Sequence, residues 1–246
     1  MEIEIIKTSL EEIKAFRILF LHENNFQFIC NKCHDYGWAD TWLFVITGTK
    51  AGYGSIWGTN KREDRDAIFE FYLLKPFRNM AELVFQKFHI ISGATYIESQ
   101  SNDALLSSML YQFSENINAE AILFKDGFET NLQIPGVTFR KKTVEDNLGD
   151  NAGDYVLVQN RNIVADGGFM LNYNMPYADI YMGVKENFRH QGFGSLIVQE
   201  LKKEAYRIER VPAARCNINN HISKATLMKA GFEVCGHRLL GNIKKG

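Results

Sequence analysis

The sequence predicts an α/β (α+β) fold: a mixed, mostly antiparallel sheet flanked by helices and built as two similar halves. Three observations carry this expectation. Segments with period-two alternation and β-forming residues recur along the chain, separated by amphipathic helical segments. The order paired strands, strong strand, helix, strand, helix, strand occurs twice, without an obvious residue-level repeat. In the second occurrence the strong strand runs into Arg189-His190-Gln191-Gly192-Phe193-Gly194-Ser195 before its helix.

In the first half, residues 2–7 alternate as a short strand. Ser9-Leu10-Glu11-Glu12 then starts a helix with acidic residues in its first turn, and Ile13, Phe16, Phe20 and Leu21 follow at helical spacing. Residues 41–47 and 51–57 form a hairpin turning at Gly48-Thr49-Lys50, and 60–66 is a charged loop. The apolar strand 67–74 stops at Pro76. A helix over 80–91 presents Leu83, Val84, Phe88 and Ile91 to the core and ends at Gly93. A strand at 95–98 follows, then a helix to Tyr111 capped by Asn102 or Asp103, and a strand at 119–124.

Residues 137–141 are a further strand. The polar stretch 143–154 is the expected boundary, giving domains 1–142 and 143–246. Beyond it, 155–158 and 163–171 pair around Asn160-Arg161-Asn162, and a loop with Pro176 leads to the strand 178–184. The helix 194–208 carries Ile197, Leu201, Ala205 and Ile208 on one face. A strand at 212–217, a short helix at 222–229 ended by Gly231, and a strand at 232–243 complete the chain.

Composition narrows the function. The chain has 246 residues, 46% hydrophobic and 23% charged, with a formal net charge of −1. That is an ordinary folded protein, with no charge imbalance pointing to nucleic acid or an anionic membrane. No apolar run reaches membrane-spanning length, and Met1-Glu2-Ile3-Glu4 is acidic where a secretory signal is basic. A cytoplasmic protein is expected, with Cys30, Cys33, Cys216 and Cys235 as free thiols. Cys30-Asn31-Lys32-Cys33-His34 spells a haem attachment motif, but attachment requires export. Zinc would need a second close ligand pair, so no metal is expected. No feature sets an oligomeric state.

The 189–195 turn is the chemical centre of the reading. A strand, a glycine-marked loop and a helix start bring unpaired N–H groups and the positive end of a helix dipole to one point, which suits an anion such as a pyrophosphate. A dinucleotide fingerprint needs a third glycine where Ile197 stands, and a P-loop needs a lysine after the last glycine. Neither fits. Taken singly, Arg189 reads as a surface charge, Asn220 as a helix cap and Gly231-Phe232 as a helix end with a core aromatic.

Together they spell more. Val184 followed by Arg189-x-x-Gly192-x-Gly194, and downstream Asn220-x-x-Ser223-x-x-x-Leu227-x-x-x-Gly231-Phe232, resemble the two acetyl-CoA-binding signatures of the Gcn5-related N-acetyltransferases, the GNAT superfamily. The resemblance covers residues 155–240 by motif and the first half by element order. It implies that backbone N–H groups of Arg189, His190, Gln191, Gly192, Phe193, Gly194 and Ser195 cradle the coenzyme A pyrophosphate. It implies too that backbone of Met182 to Val184 bonds the pantetheine arm near the thioester carbonyl, where donors stabilise an oxyanion. Asn220 would help seat the cofactor and Ser223 would let its helix approach.

The acceptor implied is a primary amine of a small molecule or peptide, transferred an acetyl group directly, with acetyl-CoA as co-substrate. An alkylamine must lose a proton first, and Asp179 and Tyr181, on one face of their strand, are the candidate catalytic residues. Many family members carry a tyrosine where this chain has Leu227, which puts a tyrosine acid at that position in doubt and opens an alternative, a non-catalytic acyl-CoA-binding or regulatory module. Cys216 reads as a small core residue. In the first half the equivalent turn, Lys75-Pro76-Phe77-Arg78-Asn79-Met80-Ala81, has no glycine, so that half is expected to be a degenerate copy without a cofactor site.

Overall fold

A computed structural model describes residues 2–23, 31–61, 63–149 and 152–244. In chain order its elements are β1 (Ile3–Thr8), α1 (Leu10–Glu23), α2 (Asn31–Asp35), β2 (Asp40–Ile46), β3 (Thr49–Trp57), β4 (Ala67–Leu73), α3 (Ala81–Ser92), β5 (Tyr96–Gln100), α4 (Ala104–Phe113), β6 (Ser114–Asp126), β7 (Val137–Lys141), β8 (Tyr155–Gln159), β9 (Asn162–Met170), β10 (Tyr177–Val184), α5 (Phe193–Arg207), β11 (Val211–Asn217), α6 (His221–Lys229) and β12 (Phe232–Ile243). Short 3-10 turns at Lys75–Met80, Val144–Asp146 and Glu186–Phe188 complete the set. Among the described residues no helix is long and apolar enough to cross a membrane.

The chain forms two compact units. The first comprises residues 1–120 with 236–246, and the second 121–235. The sequence division at 142/143 falls inside the second unit, because β7 pairs antiparallel with β8, from Val137 opposite Gln159 to Lys141 opposite Tyr155. The last stretch of chain returns to the first unit, where Arg238 to Asn242 pair antiparallel with β5.

In the first unit the strands run β1-β2-β3-β4-β5-β12, antiparallel except for a short parallel pairing of β4 with β5. One face carries α3 and α4 over a core that includes Phe44, Phe71, Phe85, Phe88 and Ile97. The other carries α1, whose Ile13 and Phe20 pack on Tyr53 and Tyr72. Helix α3 turns a slightly different stripe inward from the one expected. Ala81, Val84, Phe85 and Phe88 are buried at i, i+3, i+4, i+7, while Leu83 and Ile91 are 54% and 53% exposed. Asp103 caps α4, accepting the Leu106 N–H at 3.0 Å, and Gly93 ends α3 in the left-handed region at φ 69°.

In the second unit the order is β6-β11-β10-β9-β8-β7, again antiparallel except for β10 with β11. Helix α5 buries Phe193, Leu196, Ile197, Val198, Leu201 and Ala205 in a core shared with β8 to β11. Ile208 lies past the end of the helix and is exposed. Lys202 is buried on α5. Its ammonium donates to the carbonyls of Phe128 (2.8 Å) and Ala230 (3.0 Å) and lies 2.5 Å from Asp126, tying the end of α6 to the loop after β6. Gly231, at φ 88°, is fixed by that contact, since an added Cβ would stand 2.2 Å from the Phe128 carbonyl oxygen.

The strands of the two units correspond in order, and so do α3 with α5 and α4 with α6. The difference lies between the first and second strands. There the first unit has α1 and α2, and the second has the 3-10 turn at Val144–Asp146 among its described residues.

Candidate active site

The site begins where two strands part. β10 pairs with β11 in parallel only at Tyr177, Ala178 and Asp179, opposite Val211, Pro212 and Ala213. Past that point β11 continues to Asn217 on the β6 side, and β10 continues to Val184 on the β9 side. A Cβ added to Gly167 of β9 would lie 2.6 Å from the Tyr181 carbonyl oxygen, so that carbonyl faces β9. By alternation the Met182 backbone faces the parted edge, where no ladder partner satisfies it.

The strand delivers the chain into the glycine turn. His190 and Gly192 both have positive φ (62° and 88°), and Gly192 is the residue before α5. No side chain caps the helix, and the first helical bond is from the Leu196 N–H to the Gly192 carbonyl at 3.1 Å. The N–H groups of Phe193, Gly194 and Ser195 therefore precede the ladder at the positive end of a fifteen-residue helix. A Cβ on Gly194 would meet Thr226 Cγ2 at 3.0 Å, Met182 Cε at 3.4 Å and Val184 Cγ2 at 3.5 Å, so glycine here lets α5 lie close to both α6 and β10.

A cavity of about 400 Å³ opens over this helix start. Met182, Val184, Arg189, His190, Gly192, Phe193, Gly194, Ser195, Asn220 and Ser223 all line it, so ten of the eleven residues expected at a cofactor converge. Gln191 is exposed outside the lining, its amide donating to the Asn187 carbonyl at 3.3 Å. Two expected roles gain local explanations. The Asn220 side chain caps α6, accepting the Ser223 N–H at 3.0 Å, and it does so while facing the cavity. The Ser195 hydroxyl donates to the Thr226 carbonyl at 3.1 Å, locking α5 to α6 behind the turn. The donor set and the close glycine fit a pyrophosphate with an extended arm.

A second cavity of about 180 Å³ adjoins the first, with Met182 and Ser223 common to both. Its other lining residues are Met170, Asp179, Ile180, Tyr181, Arg215 and Leu227. Ile180, Met182 and Val184 point to the α5 side, in the core of the second unit, which leaves Asp179 and Tyr181 on the opposite face. Asp179 is only 2% exposed and lies 3.3 Å from the Arg215 guanidinium, whose other end donates to the Tyr173 hydroxyl. Tyr181 is 37% exposed. Burial, with the charges of Asp154 and Asp166, pushes its phenol above the usual range, making it a proton donor rather than a base near neutral pH. Burial likewise raises the Cys216 thiol, consistent with an unreactive core residue.

Sequence reasoning missed Arg215 and Thr226. Arg215 was visible in principle, a lone charge inside the apolar strand Val211–Asn217. Thr226 gave no signal, because its relevance comes from the approach of α6 to Gly194. Of the haem-like spelling, Cys30 lies outside the described residues. Cys33 is buried as a free thiol, and His34 Nε2 stands 3.0 Å from Glu70.

The corresponding place in the first unit is built differently. β4 meets β5 only at Ala67 and Ile68, so these strands also part. The Tyr72 carbonyl faces Gly52 of β3, and Leu73 turns to the parted edge. There the Arg78 Nε donates to the Leu73 carbonyl at 3.0 Å, while its Nη2 bonds Glu23 at 2.7 Å. A side chain of the unit itself occupies the backbone position that Met182 leaves open.

No family model matches the sequence, and no curated protein matches it. Solved structures do match across the whole chain. An acetyltransferase of the GNAT family from Colwellia psychrerythraea is 14% identical with a TM-score of 0.76, covering 99% of this chain and 100% of that one. A tandem GNAT protein from the clavulanic acid biosynthesis pathway is 12% identical with a TM-score of 0.61, covering both chains fully. A GCN5-related N-acetyltransferase from Sphaerobacter thermophilus is 13% identical with a TM-score of 0.61, covering 99% and 96%. The chain has the GNAT fold.

Proposed function

We propose that the protein is an acetyl-CoA-dependent N-acetyltransferase acting on a primary amine, with its site in the second unit. The observation that carries this reading is the junction of the two cavities at Met182 and Ser223. One cavity ends at a helix start that no side chain caps, suited to a pyrophosphate. The other holds an acid and a phenol. A thioester lying along the parted edge of β10 would place its carbonyl between them.

In the reaction the amine nitrogen, once freed of a proton, attacks the thioester carbonyl. The C–N bond forms, the C–S bond breaks, and the electron pair leaves with sulfur. An alkylammonium gives up two protons in all, one before attack and one on collapse, and one of them ends on the coenzyme A thiol. The Met182 backbone at the parted edge suits the oxyanion, and Asp179 suits the proton taken from the amine. Tyr181, held protonated, suits its return to sulfur. This assigns to Tyr181 the acid role that Leu227 cannot fill.

The test is acetyl-CoA binding by calorimetry together with thiol release over an amine panel. Binding with release from at least one amine is the expected outcome. Binding without release from any would favour an acyl-CoA-binding module, and no binding would overturn the site.

A further inference from the structure

The second cavity sits at the parted edge of β10, and alternation along the strand divides its walls between the two faces of the sheet. Ile180 and Met182 point to the α5 side, and Leu227 reaches the cavity from α6 on that same side. These side chains are apolar, and Ile180 and Leu227 are each only 5% exposed. Asp179 and Tyr181 stand on the opposite face with Met170, the ladder partner of Asp179. Arg215 belongs to that face as well, because its neighbours Ala214 and Cys216 are in the α5-side core. The cavity therefore has an apolar half and a polar half.

The charges of the polar half answer one another. The Arg215 guanidinium lies 3.3 Å from the Asp179 carboxylate and also donates to the Tyr173 hydroxyl. The apolar half offers no side-chain hydrogen bond, so a group settles there only by leaving water. Continuity with the first cavity indicates which group. That cavity lies on the α5–α6 side and meets the second at Met182 and Ser223. A cofactor arm following β10 from the helix start arrives at this junction, and beyond its thioester only the acyl chain remains to be housed. The wall on that side of the sheet is Ile180, Met182 and Leu227. The amine has the other half.

From this arrangement we infer that the site takes acyl chains longer than acetyl, up to about four carbons, with the chain against Ile180, Met182 and Leu227. The inference rests on the proposed transferase site and extends its donor to short acyl thioesters. The bonds made and broken are those of acetyl transfer, with a longer acyl group carried to nitrogen. The dimensions set the limit. A volume of about 180 Å³ holds roughly six groups the size of a water or a methylene. The thioester carbonyl carbon, its oxygen and the incoming nitrogen take about half of that room, which leaves roughly three carbons for the chain, as in a butyryl group.

Calorimetry on the full chain with coenzyme A and its acetyl, propionyl, butyryl and hexanoyl thioesters tests this without an amine. Affinity should rise by about fourfold for each methylene from acetyl to butyryl, the effect of burying one CH₂, and rise no further at hexanoyl. Leu227→Ala should move that limit outward to hexanoyl, and Leu227→Phe should return the preference to acetyl. Thermal melts show whether either variant is folded, and the series on the unaltered protein needs neither. Affinity that is flat or falls from acetyl to butyryl overturns the inference and leaves the transferase reading standing. A rise that continues unbroken to hexanoyl overturns it too, as does an unmoved limit in a folded Leu227→Ala. Absent binding of coenzyme A and of every thioester overturns the cofactor site, and both readings with it.

Discussion

Strands β4 and β10 carry the same three-residue pattern, an acid and a tyrosine on one face with an apolar residue between them on the other: Glu70-Phe71-Tyr72 in the first unit and Asp179-Ile180-Tyr181 in the second. In both, the acid pairs with an arginine and the middle residue faces the core under α3 or α5. What differs is the cover. Helices α1 and α2 close over β4, so Glu70 is fully buried between Arg17, whose Nη2 donates at 3.1 Å, and His34 at 3.0 Å. Tyr72 is buried with it beneath Phe20. Over β10 the corresponding segment has no such pair of helices among its described residues, and Asp179 and Tyr181 line a cavity. The comparison teaches that a buried charge on a strand becomes structural or chemical according to what lies over it. The same residue types that fix a core in one unit border a cavity in the other.

The largest effect that would sharpen this contrast is at Glu70. Glu70→Ala leaves Arg17 and His34 facing an apolar gap, and removal of one partner from a buried ion pair costs about 3–5 kcal/mol. Denaturant unfolding should show that loss, while acetyl-CoA affinity in the second unit stays near its original value. A small stability change would erase the structural role assigned to Glu70.

Acid titration tests the same residue without altering the chain's shape. Burial works to raise the Glu70 carboxyl, but Arg17 and His34 outweigh it and hold the carboxyl at about 2, against an ordinary 4.5. A depressed carboxylate stabilises the fold fully above its unfolded value and progressively less as pH falls toward the folded one. The loss between pH 4.5 and 2 is on the order of 3 kcal/mol. Unfolding midpoints measured across that window should slope accordingly, and Glu70→Gln should flatten them.

In the second unit, Gly192→Val puts a branched side chain at φ 88° and displaces the turn from its N–H groups. Coenzyme A affinity by calorimetry should fall by about a hundredfold, the sum of one or two charge-assisted bonds. Retained affinity would remove the turn from the site.

Arg78→Ala is the smallest change. It uncovers the Leu73 edge in the first unit but supplies no glycine turn, so coenzyme A should still bind at one equivalent with affinity altered by less than about twofold. A second equivalent would mean that Arg78 alone keeps that edge closed and that the first unit is not degenerate.

Much of this was written in the chain locally. Gly192, Gly194, Asn220 and Ser223 marked a candidate phosphate turn because such recognition depends on backbone reach and spacing, which are properties of neighbouring residues. Asp103 and Gly93 were legible as caps for the same reason. The burial of Phe85 rather than Leu83, and the pairing of β7 with β8, depended on which surfaces met.

The sequence by itself determined most of the order of elements and the glycine turn before an uncapped helix start. Tertiary structure alone decided that Arg215 and Asp179 pair beside a cavity, that Arg78 fills the parted edge of β4, and that Tyr72 is covered while Tyr181 is not. Spacing along a strand or helix fixes direction and face. Which distant side chain arrives at that face, and whether anything covers it, is set by contacts between residues far apart in the chain.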